Sequence, residues 1–120
     1  MNVTSTELRA LALEDAQPEH FEPAQGAAFE LVPTDIPGVE PLPLVLLEVR
    51  RLPKHGGRRE DPFTLFFGGP ALPAGLPPVL YDLRGGGVQL SSVFLSRVSV
   101  LSNAQAGVAP SDAYYEAVFA

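Results

Sequence analysis

A chain of 120 residues can bury one core but not two independent ones, and with 46% apolar and 18% charged residues it has the composition of a folded domain, not a disordered one. The absence of cysteine excludes disulfides and thiolate metal sites. No window approaches the ~20 apolar residues of a membrane-spanning helix, so membrane insertion is not expected.

Charge is uneven along the chain. Residues 1–40 hold eight acids and one base, a net of −7, while residues 41–120 hold six acids and seven bases, a net of +1. The acidic end argues against nucleic acid as the main partner.

In chain order, Thr4 and Glu7 have capping-box spacing, and Leu8, Leu11 and Ala12 share a helical face, which predicts a short helix over 5–16. A helix of that length depends on docking. Pro18 restarts the chain, and "PEHFEPAQG" reads as one helical turn with Phe21 as its buried anchor. From "AAFELV" (27–32) onward the pattern is that of strands, interrupted by the proline-rich loop 33–41.

"LPLVLLEVRRL" (42–52) and "PFTLFFGG" (62–69), joined by the turn-rich "PKHGGRRED", form a predicted antiparallel hairpin. In the second of these strands Phe63, Leu65 and Phe67 face inward, and Phe66 is left on the other side. It must then be covered by the N-terminal helix or by another subunit. A second hairpin is predicted from "VLYDL" (79–83) and "VQLSSVFLSRVSVL" (88–101) around "RGGG", with a bulge or change of face near Ser96. After the polar loop 102–112, "AYYEAVFA" is apolar to its end and is expected to be paired within the sheet.

Thirteen prolines and eleven glycines between short strands point to a mainly β fold, a small antiparallel β-barrel or sandwich of about six strands with a short N-terminal helix. The expected organisation is an arm over 1–18 and one β-rich domain over 19–120.

Catalytic and metal chemistry finds little footing. Glu19, His20 and Glu22 cannot all point inward from one helical turn, so no metal site is expected. "RGGGVQLSS" lacks the Lys-Ser/Thr pair of a phosphate loop. Ser91, Ser92, Ser96 and Ser99 stand in no nucleophile motif. Asp82 and Glu116 lie within strands and could form a cross-strand acid pair, although no spacing requires it. No enzymatic activity and no cofactor are expected. The basic run "RRLPKHGGRR" gathers Arg50, Arg51, Lys54, His55, Arg58 and Arg59. It reads either as a solvated loop or as an anion contact through Arg50, Arg51, Lys54, Arg58 and Arg59. The acidic N-terminal third of an adjacent copy could also dock there, a heterologous contact able to propagate.

The ordered pieces "EHFEPAQGAAFEL" (19–31), "LLEVRRLP" (46–53), "REDPFTLFFGGP" (59–70), "LPPVLYDL" (76–83), "VFLSRVSV" (93–100) and "YYEAVFA" (114–120) resemble a small family of bacterial proteins of unknown function that typically occur beside phage tail-collar proteins. The resemblance implies a compact β-rich domain without a known active site that serves a tail-like or fibre-like assembly. The chain departs from the family pattern at its first 18 residues and in the longer 102–112 loop.

The function expected is therefore a non-enzymatic structural or interaction subunit that packs with itself or with a tail-collar-type fibre protein. Leu8, Leu11, Phe66, Leu72 and Tyr114 are its expected contacts. The alternatives are a barrel binding an anionic glycan or lipid head group through the basic run, and an assembly chaperone for the fibre protein. The N-terminus lacks a basic region followed by a continuous apolar stretch, so no secretory signal is expected. Synthesis in the cytoplasm, with an extracellular, cell-surface or virion position once assembled, follows from that reading.

Overall fold

The computed structural model describes residues 8–34, 36–53, 61–71, 77, 79–98 and 113–119. Among them eight strands form one sheet: β1 (Arg9–Ala10), β2 (Ala28–Pro33), β3 (Leu42–Arg51), β4 (Phe63–Gly69), β5 (Tyr81–Gly85), β6 (Val88–Val93), β7 (Ser96–Val98) and β8 (Ala113–Phe119). Their order is β1-β6-β5-β2-β3-β4-β8-β7, antiparallel except for the β1–β6 pair. The fold is mainly β, as expected from the sequence.

The ladder is not closed by hydrogen bonds, yet it is rolled. β6 lies next to one end of the ladder and β7 at the other, while only Phe94 and Leu95 separate them in the chain. Three residue steps reach roughly 10 Å, so the two ends of the sheet must meet. Following the antiparallel pairs around the sheet shows that β6 and β7 run in the same direction, as two halves of one strand that leaves β5 for β8. Counted this way the barrel has six staves, β2, β3, β4, β8, β6/β7 and β5, of alternating direction. β5 lies beside β2 in the order β5-β2-β3-β4, the Greek-key arrangement reached by a long return connection.

Strand alternation fills the interior. Phe29, Leu31, Leu44, Leu46, Phe63, Leu65, Phe67, Leu83, Leu90 and Tyr115 all lose nearly all solvent contact, and each such large apolar side chain contributes roughly 1.5–3 kcal/mol by burial. Phe63, Leu65 and Phe67 are inward, as expected. Simple alternation fails at two places. The register shifts between Leu46 and Glu48, so the inward positions of β3 pass from Leu44 and Leu46 to Val49. In β6 the irregularity lies opposite Asp82, where Ser92 has φ +62°. This bulge moves the inward set from Leu90 to Val93 and Leu95. The sequence placed it near Ser96, where the strand instead changes partner.

The segment ahead of β2 closes one end of the barrel. The short N-terminal helix is a single 3-10 turn at Leu13–Asp15, followed by two more at Pro18–His20 and Glu22–Ala24. Arg9 and Ala10, inside the expected helical span, instead pair with β6, and Leu11 N–H donates to the Gln89 carbonyl at 2.9 Å. Main-chain pairing replaces the helix because one turn of helix cannot stabilise itself. Pro18 and Pro23 keep the following turns short by removing backbone donors. Thr4 and Glu7 lie outside the described residues.

The opposite end of the barrel is held by two tyrosines. Tyr81 donates its hydroxyl to the Pro77 carbonyl at 2.7 Å, and Tyr115 to the Pro70 carbonyl at 2.8 Å. Burial raises both phenol pKa values above their ordinary 10.0; the neighbouring Tyr115 adds to the shift at Tyr81, and Arg97 opposes that at Tyr115.

Candidate interaction surface

Phe66 lies on the outer face of the barrel, in a cross-strand row of Glu48, Phe66, Glu116 and Ser96. It is only 7% exposed. The Arg50 guanidinium carbon sits 4.7 Å from the ring centroid, and Glu48 fixes that guanidinium by hydrogen bonds of 2.9 Å from Nε and 3.1 Å from Nη2. The ring is therefore covered by a side chain of its own hairpin, and neither the N-terminal turn nor another subunit is required. A planar cation over an aromatic face covers apolar surface while keeping its own charge solvated.

Arg51, next in the chain, belongs to the closed end of the barrel. It donates to Glu22 at 3.0 Å from Nε and 3.2 Å from Nη2, and Glu19 lies 3.7 Å away. The hydrogen bonds to Glu22 push the Arg51 pKa up from its ordinary value. Between these acids Phe21 enters the barrel end with no solvent exposure. Its ring centroid is 5.9 Å from that of Phe63 and 6.3 Å from that of Phe119, which stack on each other at 4.6 Å. Gln25 completes the contact by accepting the Val49 N–H at 3.0 Å. The seat thus combines a buried aromatic anchor with an acid-to-base rim.

The other expected contacts fall in two places. Leu8 and Leu11, both half-buried, belong to the segment beside β6, where residues 10–13 with Gln89 and Ser91 line a shallow groove of about 260 Å³. Tyr114, half-buried, is on the outer face of β8 opposite Gly68 and Val98, on the Phe66 side. Leu72 lies outside the described residues, as do Lys54, His55, Arg58 and Arg59 of the basic run. Of that run, Arg50 and Arg51 are engaged by carboxylates of the same chain.

The chemical candidates separate. His20 accepts the Gln17 N–H at Nδ1, 3.0 Å, while Glu19 and Glu22 turn to Arg51. Among the described residues no three His, Cys, Asp or Glu side chains group as metal ligands. Asp82 accepts from the Thr34 hydroxyl at 2.8 Å on β5, which does not adjoin the β8 strand of Glu116, so the cross-strand acid pair does not form. Gly85, Gly86 and Gly87 form the tight turn of the second hairpin.

A family model described as a domain of unknown function (DUF6916) matches residues 16–119. The chain belongs to that family. Its DUF6916 span starts at Ala16, which is fully buried, and reaches Phe119, an inward residue of β8. The six staves and the Phe21 seat are therefore inside the DUF6916 region, and β1 is outside it. No curated protein and no solved structure matches the chain.

Sequence reasoning missed the surface pair at the seam. Phe94 is 59% and Val118 55% exposed. Ser96 pairs with Glu116 where the β7–β8 ladder begins, and Phe94 and Val118 each stand two residues beyond that pair, on the outward parity of their segments. The buried Leu95 between Phe94 and Ser96 fits that alternation. The signal was present in the apolar residues of both faces of 93–98 and 114–119, but it needed the knowledge that these segments are neighbours.

Proposed function

We propose that this chain is a non-enzymatic structural subunit of a phage-tail-like or extracellular fibre assembly, packing with itself or with a tail-collar-type fibre protein. The observation that carries this reading is the exposure of Phe94 and Val118, each two residues from the Ser96–Glu116 pair that joins β7 to β8. Adjacent exposed apolar residues mark contact surfaces more often than scattered single ones do. The barrel interior is occupied by the protein's own side chains, so recognition falls to the outside. The kind of assembly is taken from the resemblance of the ordered motifs to a family found beside tail-collar proteins, and such a subunit is extracellular or virion-associated once assembled. The anion-binding alternative is weaker because Arg50 and Arg51 already face Glu48, Glu22 and Glu19.

The test is co-expression with the neighbouring tail-collar-type protein, followed by co-purification and electron microscopy. The wild type is expected in the purified assembly, and the double variant Phe94→Ser/Val118→Ser is expected to fold but be lost from it. Retention of that variant at the wild-type level, or a wild type that never co-purifies or assembles, would overturn the reading. Dependence of fibre yield on the chain without its presence in the fibre would instead indicate a chaperone.

A further inference from the structure

The first strand leaves one edge of the sheet open. β1 stands at the end of the ladder and is held to the β6 hairpin by the Arg9 N–H, which donates to the Gly87 carbonyl at 3.0 Å, and by the Leu11 N–H, which donates to the Gln89 carbonyl at 2.9 Å. Successive residues of a strand direct their main-chain groups to opposite edges, so the N–H and carbonyl of Ala10 point away from β6. Ala10 is exposed, and both groups are accessible to a strand arriving from outside, which is what makes an edge a template for pairing. Beside it, residues 10–13 with Gln89 and Ser91 line the groove of about 260 Å³. That is smaller than the roughly 300–1,000 Å³ of clefts that enclose a small molecule, and one of its walls is the strand itself. The lining residues lead directly into the 3-10 turn Leu13–Asp15, which sets the exposed Glu14 and Asp15 at the groove. Among the described residues the ion pairs use Glu48, Glu19 and Glu22, so these two carboxylates are uncompensated. Arg9 is the one base against eight acids in residues 1–40.

From this geometry we infer that the open edge of β1 takes an extended basic peptide of a partner protein by strand addition. Main-chain hydrogen bonds to Ala10 hold the peptide, an apolar side chain enters the groove beside Gln89 and Ser91, and a lysine or arginine of the peptide meets Glu14 and Asp15. In such recognition the main chain supplies affinity and the alternate side chains supply specificity. Charge complementarity specifies the occupant as basic, since an acidic peptide would meet like charge at the same rim. The family match begins at residue 16, so the site belongs to the residues ahead of it. It is separate from the Phe94 and Val118 surface and does not depend on the function proposed above.

The test is a titration of the full-length, isotope-labelled chain with a short capped peptide of alternating valine and lysine, read by amide NMR shifts. Saturable shifts are expected at Ala10, Leu11, Ala12, Gln89 and Ser91, and none with the matching valine–glutamate peptide. Glu14→Lys/Asp15→Lys is expected to weaken binding about tenfold. Ala10→Pro removes the outward N–H but leaves the Arg9 and Leu11 N–H groups that hold β1, and it is expected to abolish binding. If circular dichroism shows that Ala10→Pro does not fold, the valine–lysine peptide methylated on its alternate main-chain nitrogens makes the same block on the wild type. The absence of saturable shifts, binding that survives both blocks, or shifts centred on Phe94 and Val118 would overturn strand addition. Equal binding of the valine–glutamate peptide would overturn the basic occupant. So would movement of the same amides with protein concentration alone, which would make a second copy the occupant.

Discussion

The Arg50 guanidinium carbon lies over Phe66, 4.7 Å from the ring centroid, and Glu48 holds it there through two hydrogen bonds. An apolar ring on the outside of the barrel is thereby made part of a covered surface. Replacing Arg50 with Ala is expected to destabilise the fold by about 1 kcal/mol, from the lost cation–π contact and the lost cover of its methylenes. Phe66→Ala is expected to cost more, about 3 kcal/mol, as a buried aromatic truncation. Urea denaturation measures both, and the Arg50→Ala protein is expected to bind more of a hydrophobic dye than wild type. Equal dye binding would show that the ring was not covered by Arg50.

Phe21 anchors the arm, and Arg51 only borders it. Phe21→Ala is expected to lose about 3–5 kcal/mol and to speed amide hydrogen exchange through residues 8–25. Arg51→Ala is expected to leave stability nearly unchanged, since its ion pairs are exposed. Comparable losses in the two variants would contradict this division of roles.

The second hairpin leaves no space for a side chain at one of its turn positions. A Cβ at Gly86 would lie 2.9 Å from the Ala24 Cβ, at a φ of +60°, whereas Gly87, φ +82°, has nothing near it. Gly86→Ala is therefore expected to cost about 1–3 kcal/mol, through clash and backbone strain. Gly87→Asn is expected to be much milder, because asparagine tolerates the left-handed region. Thermal unfolding of the two variants side by side checks the order.

Tyr81 and Tyr115 keep their protons more tightly in the folded protein because burial raises their pKa values. The unfolded chain loses these protons near the ordinary value of 10.0, while the folded chain still holds them. Their contribution is thus fully present below pH 10 and is lost as pH rises through the folded values. Tyr81→Phe and Tyr115→Phe are each expected to cost about 1 kcal/mol at neutral pH through the lost hydrogen bond. The double variant is expected to show a flatter fall in stability above pH 10. An unchanged alkaline slope would remove the tyrosines from this role.

The staves were legible because their signals are local. Alternation in 63–67 and 113–119, proline-rich breaks and a triple-glycine turn each mark one element without reference to the rest of the chain. The inward face of β3 was not, because Leu47 sits where the register shifts, and a bulge transfers the inward set between parities without any special residue type. The arm was read as a helix because Leu8, Leu11 and Ala12 fit a helical face. Edge pairing of Arg9 and Ala10 with β6 depends on a strand about eighty residues away, which no local pattern reports. Phe21 was recognisable as an anchor, but its seat was not, since Phe63, Phe119 and Arg51 meet only after the sheet rolls. The same rolling brings the segment that carries Phe94 to β8, where Ser96 pairs with Glu116 two residues from Val118.

Self-association or association with a fibre protein is the central claim, and light scattering over a dilution series of the purified chain, alone and with the tail-collar-type protein, tests it most directly. The expected result is a mass above the 12.8 kDa of one chain that grows with concentration or with the partner. A mass of 12.8 kDa at every concentration, in both conditions, would contradict it.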